Sequence, residues 1–195
     1  MDNSQIIVNN LYYSYEDNDI FNNLSLTIDT GKISSIISPS GSGKTTFLHL
    51  LAGILTPNSG DIIFPEKKPL ISMVFQENRI IENTTVFKNI KLVNKNLSKE
   101  DITNLLTSLE INDCIQKKAK KLSGGQARRL AIARALAAKH DYLFLDEPFT
   151  GLDEKTKYKT MQYIKDNTKN QTVLLVTHNK EEADFFSSLS ICINN

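Results

Sequence analysis

Residues 38–46 read Ser38-Pro39-Ser40-Gly41-Ser42-Gly43-Lys44-Thr45-Thr46, and this stretch is the strongest indication of the fold class. An apolar segment, residues 33–37, precedes it and is typical of a buried strand. A helical pattern follows it and carries Phe47, Leu48, Leu50, Leu51 and Ile54. Strand-like and helical segments go on alternating along the chain, which favours an α/β fold with a largely parallel sheet.

The residue types of this loop suit a phosphate-binding site. Glycines let the backbone curl so that successive N–H groups point at phosphate oxygens, and a helix that begins near Lys44 adds its partial positive charge. Lys44 supplies a full charge to the β- and γ-phosphates, and Thr45 offers a hydroxyl to Mg²⁺. The usual G-x-x-x-x-G-K-[ST] pattern has glycine where this chain has Ser38, and a side chain there costs strain if φ is positive.

Composition bounds the kind of protein. A chain of 195 residues predicts one domain, and 40% hydrophobic with 23% charged residues is typical of an ordinary globular protein. The net charge of +1 gives no electrostatic reason to expect a nucleic-acid partner. Cys114 and Cys192 lie far apart without metal-type spacing. No signal pattern and no apolar run of about 18 residues is present, so we expect any membrane pore to be another polypeptide.

The order of elements predicts an α/β core with a helical insertion. Strands are expected at residues 6–8, 24–28, 33–37, 71–75, 142–145, 172–176 and 190–193. The first helix is expected to stop near residues 57–60, and a second long helix runs from Ser123 to Ala138. Residues 83–121 show helical periodicity, with Ser98 and Asp101 as a capping box. We therefore predict a single domain over 1–195, with a core of about 1–82 and 122–195 and a helical subdomain of about 83–121.

Two further motifs follow the phosphate loop. The first is Leu122-Ser123-Gly124-Gly125-Gln126, and the second is Leu143-Phe144-Leu145-Asp146-Glu147. Asp146 ends an apolar strand, at the edge where ligand sites of α/β sheets form, although an acidic pair before Pro148 can also simply cap the next segment.

In that order, the phosphate loop, the signature peptide (residues 122–126) and the acidic pair resemble the ATP-binding subunit of an ATP-binding cassette (ABC) transporter. The resemblance extends from Tyr15 to His178. It implies the P-loop NTPase ABC ATPase fold, with a mainly parallel core sheet, an N-terminal antiparallel β part and an inserted helical subdomain. Residues 74–81 are most similar to bacterial importer ATPases of the nitrate, sulfonate and taurine type.

The resemblance also implies the site residues. ATP would be bound by Tyr15 stacked on adenine, with Tyr12 and Tyr13 as competitors, and by Ser38, Pro39, Ser40, Gly41, Ser42, Gly43, Lys44, Thr45 and Thr46. Mg²⁺ would be held by Thr45, Gln76 and Asp146, and the catalytic residues would be Glu147, His178 and Gln76. His49 and His140 match no family position and are expected to be structural.

The signature peptide predicts a second copy of the chain. Exposed N–H groups and a serine hydroxyl at a helix start form an anion site, and a second such site is redundant within one chain. We therefore expect Ser123, Gly124, Gly125 and Gln126 to act in trans on the γ-phosphate of ATP held by a partner. Asp153 resembles the dimer-interface loop, and it can also cap the helix that follows.

The function implied is ATP binding and hydrolysis that power a separate membrane permease, in solute import. The expected cofactors are ATP and Mg²⁺. The expected partners are a second ATPase subunit, identical or homologous, an integral membrane permease and a solute-binding protein, with no nucleic acid. The expected location is peripheral, at the cytoplasmic face of the cell membrane. The alternatives are an ATPase of an exporter, lipoprotein-release or cell-division complex, a soluble non-transport ATPase, and a switch that binds ATP without hydrolysis.

Overall fold

The computed structural model describes residues 5–16, 18–37, 41–186 and 189–191, and these form two sheets flanked by helices. The strands are β1 (Gln5–Tyr15), β2 (Asn18–Asp29), β3 (Ile33–Ile37), β4 (Ser59–Ile63), β5 (Ile71–Val74), β6 (Tyr142–Asp146), β7 (Thr172–Thr177) and β8 (Leu189–Ile191). The helices are α1 (Lys44–Leu51), α2 (Val86–Val93), α3 (Lys99–Ser108), α4 (Gly124–Ala137), α5 (Glu154–Asn167) and α6 (Lys180–Phe185). Two short 3-10 helices span Asn112–Cys114 and Ala119–Lys121.

The larger sheet is parallel, with strand order β5-β6-β7-β3-β8. Every residue of β6 and β7 is buried, because helices cover one face and the smaller sheet with α1 covers the other. Leu143 and Leu145 pack into the core between the sheet and the helices on one face, whereas Phe144 packs into the core formed with α1 and the smaller sheet on the other. The carboxyl ends of β3, β5, β6 and β7 therefore meet at one edge, as the predicted site requires.

The smaller sheet is antiparallel, with strand order β2-β1-β4, and it confirms the expected N-terminal antiparallel part. Strands β1 and β2 are much longer than the segments predicted at 6–8 and 24–28. The register of β1 shifts between Val8 and Leu11, where Asn10 has a φ of 47°. Such a bulge interrupts the alternation of apolar and polar residues that a sequence pattern detects.

Residues 86–121 contain α2, α3 and the two 3-10 helices and lie between β5 and α4, within the range predicted for the helical subdomain. The predicted capping box of α3 is present: the Ser98 N–H donates to Asp101 Oδ2 at 2.8 Å, and the Asp101 N–H donates to Ser98 Oγ at 3.0 Å. The apolar side chains of this segment share one core with α4 and the parallel sheet. Helix α6 and strand β4 had not been predicted, whereas α2 lies within the predicted helical range.

The expected end of the first helix was wrong. Helix α1 stops at Leu51, and Ile54, which was expected within it, is 47% exposed. Gly53 adopts a φ of 66°, and the Ile54 N–H donates to the His49 carbonyl at 2.9 Å. This glycine-terminated C-cap satisfies the last carbonyls before Pro57 is reached.

Candidate active site

A cleft of about 280 Å³ lies at the carboxyl edge of the parallel sheet. It brings together the phosphate loop, the predicted glutamine and the acidic pair, since its lining comprises Ile20, Gly41, Gly43, Lys44, Thr45, Thr46, Gln76, Asp146 and Glu147. Ile20, which sequence reasoning missed, comes from β2 of the antiparallel sheet. Ser38, Pro39 and Ser40 lie outside the described residues.

Close packing explains the second glycine of the loop. Gly43 has a φ of 83°, and a Cβ atom there would lie 2.6 Å from Ile20 Cγ2 and 2.9 Å from Phe21 Cζ. The glycine thus lets the loop pass directly beneath β2. It is also the N-cap of α1, so the amino end of that helix opens into the cleft.

Two polar groups of the loop are buried beside this helix end. The Lys44 side chain is only 8% exposed at the first position of α1. Ser42 Oγ is buried and has no hydrogen-bond partner among the described residues. A buried cation and a buried hydroxyl at a helix amino end suit an anionic ligand such as phosphate.

Asp146 is completely buried, and neither of its carboxylate oxygens has a hydrogen-bond partner among the described residues. Burial is the main cause that raises the pKa of Asp146 above its usual value. The Thr45 hydroxyl is close enough to lower this pKa in part, although it lacks the geometry of a hydrogen bond. A buried carboxylate without a partner is costly and invites a cation.

The residues around Asp146 fit Mg²⁺. Thr45 and Gln76 line the same cleft and add a hydroxyl and an amide oxygen. Mg²⁺ prefers oxygen ligands and is usually held by one or two carboxylates together with substrate phosphates and waters. The predicted metal residues therefore lie together, with an unsatisfied carboxylate at their centre.

Glu147 and His178 also lie together. His178 Nδ1 is 2.9 Å from the Glu147 carboxylate, and the imidazole is exposed whereas the carboxylate is mostly covered. Glu147 has a φ of 47°, and its N–H donates to the Val176 carbonyl at 2.9 Å. A strained backbone at a strand end that aims a carboxylate into a cleft is typical of catalytic sites.

A buried carboxylate behind this pair was not predicted. Glu182 on α6 accepts a hydrogen bond from the Thr177 hydroxyl at 2.5 Å, and burial raises the pKa of Glu182. The Thr177 hydroxyl also accepts the Asn179 N–H at 3.1 Å. These bonds fix the backbone on both sides of His178. The sequence offered only a threonine and a glutamate spaced five residues apart.

The signature peptide lies outside this cleft. Ser123 and Gln126 form a capping box at the start of α4, with the Gln126 N–H donating to Ser123 Oγ at 3.3 Å and the Ser123 N–H donating to Gln126 Oε1 at 3.0 Å. Ser123 and Gly124 are exposed. None of the described residues that line the cleft belongs to the peptide.

The predicted interface loop lies beside the signature peptide. A Cβ atom at Gly125 would lie 3.6 Å from the Gly151 carbonyl oxygen, so the two segments are close neighbours. Asp153 is exposed and caps α5, accepting the Thr156 N–H at 3.0 Å, and these bonds lower the pKa of Asp153. The capping interpretation of Asp153 is thus confirmed, while the interface role stays a prediction.

The three candidate adenine-stacking tyrosines differ in exposure. Tyr13 is buried, and the Tyr12 hydroxyl donates to Asp19 at 2.8 Å. Tyr15 lies at the end of β1, is 46% exposed and contacts Tyr13 edge-on at 5.0 Å between ring centroids. Tyr15 therefore offers the most accessible ring of the three, and its stacking on adenine stays a prediction.

Arg128 on α4 is a third residue that was missed. It is 2% exposed and reaches the backbone just behind Gln76 and Glu147. The only signal in the sequence was a charged side chain in a helix that is otherwise buried around Leu130, Ile132 and Ala133.

The fold and the cleft are those of a nucleotide-binding cassette of the P-loop class. Residues 21–150 match the ABC transporter family. The chain is 39% identical over 192 residues to the tungstate uptake system ATP-binding protein of Peptoclostridium acidaminophilum, covering 92% of this chain and 89% of that protein. It is 38% identical over 194 residues to the Fe(3+) ions import ATP-binding protein of Fusobacterium nucleatum, covering 91% of this chain.

The solved dimeric structure of MJ0796, a bacterial ABC transporter cassette, has the same architecture. It superposes with a TM-score of 0.85 at 29% identity, over 96% of this chain and 94% of that one. This chain spans 52% of the Fe(3+) relative. The protein belongs to the ABC transporter family, as the sequence motifs predicted.

Proposed function

We propose that this chain is the ATP-binding and ATP-hydrolysing subunit of an ABC transporter and that it powers solute import through a separate permease. The observation that carries the proposal is the cleft in which a phosphate loop, a buried unpaired carboxylate and the Glu147–His178 pair converge. The relatives serve import of tungstate and Fe(3+), which favours import over export. The finer likeness to nitrate- and sulfonate-type importers stays a prediction.

Each group in the cleft has a distinct role in hydrolysis. The loop N–H groups, the amino end of α1 and Lys44 bind the β- and γ-phosphates. The oxygen of a water molecule attacks the γ-phosphorus, and Glu147 accepts a proton from that water. The bond between that phosphorus and the β–γ bridging oxygen then breaks, and ADP and phosphate leave. His178 holds the Glu147 carboxylate through its Nδ1, and we propose that its exposed imidazole contacts the γ-phosphate.

Thr45, Asp146 and Gln76 are the residues that would hold Mg²⁺. When bound, the ion neutralises charge on the phosphate oxygens. Asp146 contributes a carboxylate that is already desolvated and rigid, because it ends a fully buried strand.

We further propose that two copies close around ATP, each signature peptide contacting the nucleotide held by the other. The exposure of Ser123 and its separation from the cleft of its own chain support this arrangement. ATP favours the closed dimer because it binds that state better, and hydrolysis removes the bridge. The permease then couples closure to transport at the cytoplasmic face of the membrane. Among the described residues, no helix is both long and apolar enough to span a bilayer.

The decisive experiment uses Glu147→Gln, which keeps the shape of the side chain and removes its basicity. Light scattering after size-exclusion chromatography measures the mass with and without Mg-ATP, and phosphate release measures turnover. We expect the variant to bind ATP, to lose turnover by at least about 10²-fold and to accumulate as an ATP-dependent dimer.

Glu154→Gln is the matched control, because Glu154 is exposed on α5 and pairs only with Lys157 among the described residues. It should keep wild-type turnover. A wild-type protein that binds Mg-ATP without turnover would refute hydrolysis, and a Glu147→Gln protein that stays monomeric with bound ATP would refute the trans arrangement.

A further inference from the structure

Arg128 makes an unusual set of contacts. Its guanidinium donates to the carbonyls of Phe75 at 2.5 Å and Gln76 at 3.2 Å, after the end of β5. On its other side it donates to the carbonyls of Asp146, Glu147 and Pro148 at 2.7, 2.5 and 2.9 Å. We call this set of bonds the Arg128 clamp.

The clamp begins where the pairing of β5 with β6 ends. These two strands pair in parallel as far as Val74 and Leu145. Beyond that point the two segments no longer pair with each other, and a buried carbonyl without a partner is costly. The planar fork of a guanidinium offers several donors in fixed directions, so one side chain can serve both segments.

The surroundings of the guanidinium favour carbonyl binding over an ion pair. All but one of the hydrogen-bond acceptors found for it are backbone carbonyls, the exception being Asn78 Oδ1 at 3.4 Å. Burial lowers the pKa of Arg128, and the charges of Asp146 and Glu147 oppose this effect. The Glu147 side chain remains available to His178 because Arg128 holds only its backbone.

Helix α4 connects the clamp to the signature peptide. Ser123 caps this helix, and Arg128 lies little more than one turn further on. A displacement of the helix start is therefore carried by a rigid element to the backbone of Gln76 and Glu147.

We propose that Arg128 is a positioning residue for ATP hydrolysis, which holds the backbone of Gln76 and Glu147 in one geometry relative to the signature helix. This inference rests on the proposed function. Misplacement of reacting groups by about 1 Å costs about 10²-fold in rate, whereas the phosphate loop that binds ATP makes no contact with the clamp among the bonds described. Loss of the clamp should thus lower kcat and leave ATP affinity almost unchanged.

The test compares Arg128→Met with Arg134→Met. Arg134 lies on the same helix and, among the described residues, donates only to the carbonyl of Arg79, outside the Glu147 turn. Three quantities are measured: the dissociation constant for Mg-ATP, kcat for phosphate release, and amide hydrogen exchange of residues 75–78 and 146–149. For Arg128→Met we expect kcat to fall at least about tenfold, ATP affinity to change less than about threefold, and exchange to accelerate in both segments.

Arg128→Lys keeps a cation in the same place, and it is the variant to test if Arg128→Met fails to fold. A lysine can reach only one of the two segments, so kcat should still fall at least about tenfold. Wild-type kcat in a folded Arg128→Met or Arg128→Lys protein would overturn the inference, as would an equal loss in Arg134→Met. If the wild-type chain does not hydrolyse ATP, the proposed function fails. Independently of that result, unchanged amide exchange in both segments of the Arg128 variants would refute the clamp.

Discussion

His178 Nδ1 and the Glu147 carboxylate are 2.9 Å apart, although the two residues come from the ends of different strands. Strands β6 and β7 are parallel neighbours, and the Glu147 N–H donates to the Val176 carbonyl, so the backbone itself brings the two side chains together. The fold itself therefore orients the carboxylate towards the imidazole. Preorganisation of this kind lowers the cost of reaching the transition state.

We expect His178→Ala to lower kcat by about 10²-fold, because Glu147 loses the group that fixes its orientation. Phosphate release at saturating Mg-ATP measures the effect. His140→Ala is the control, since His140 contacts the Ala138 carbonyl at 2.7 Å and Gln171 at 3.3 Å and lies outside the cleft lining. An unchanged kcat in His178→Ala would show that the pair has no part in catalysis.

Gly43→Ala should destabilise the protein by about 2–4 kcal/mol, as the sum of backbone strain and overpacking against Ile20 and Phe21. Gly41→Ala separates these causes, because Gly41 has a φ of 84° but nothing within 4 Å of its Cβ position. That variant should lose only about 1–2 kcal/mol. Urea unfolding without nucleotide measures both, and equal losses would contradict the steric argument.

Asp146→Asn should stabilise the protein without nucleotide and abolish turnover. The substitution removes a charge that is buried without a partner, so we expect a gain of about 1 kcal/mol or more, which is about 2–4 °C in Tm. Mg-ATP should then stabilise the variant much less than the wild type. If Asp146→Asn has a lower Tm than the wild type in the absence of Mg-ATP, the Asp146 carboxylate must have a stabilising partner in the folded protein.

The advantage of Asp146→Asn should depend on pH. Burial raises the pKa of Asp146 in the folded state, so its ionised form destabilises the fold at every pH above that raised value. As the pH falls through the raised pKa towards the ordinary value of 3.8, the wild-type carboxyl becomes neutral and the difference disappears. Urea unfolding of both proteins across this range measures the difference, and a difference that grows on acidification would contradict the assignment.

The sequence identified the parts of the site that are contiguous. In the phosphate loop and the acidic pair, neighbouring residues specify both the local structure and the chemistry, so a short pattern is enough. Gln76 and His178 were found through the family resemblance, because a glutamine or a histidine after a strand has no chemistry of its own.

What the sequence did not predict depends on contacts between distant segments. Gly60 lies in the range where the first helix was expected to stop, but it is part of β4, where a Cβ atom would approach the Asn10 carbonyl oxygen to 2.4 Å. The glycine is needed because of the bulge in β1, which only the paired strands reveal. The partners of Arg128 are backbone carbonyls, and any residue type supplies those, so no residue pattern could have shown the clamp.

Helices α3 and α4 begin with the same kind of capping box. Ser123 and Ser98 cap α4 and α3 in the same way, with Gln126 and Asp101 as the reciprocal partners. Ser123→Ala and Ser98→Ala should therefore each cost about 1 kcal/mol of stability, measured by urea unfolding. Only Ser123 belongs to the peptide that we propose contacts ATP in trans.

In the Glu147→Gln background, Ser123→Ala should weaken ATP-dependent dimerisation by about tenfold, because a hydrogen bond to a charged phosphate is lost. Ser98→Ala should dimerise as the background does, since its capping box lies at the start of α3. Light scattering across a range of protein concentrations measures both. Equal weakening in the two variants would mean that helix stability sets dimerisation, and that the Ser123 hydroxyl makes no contact with the partner's nucleotide.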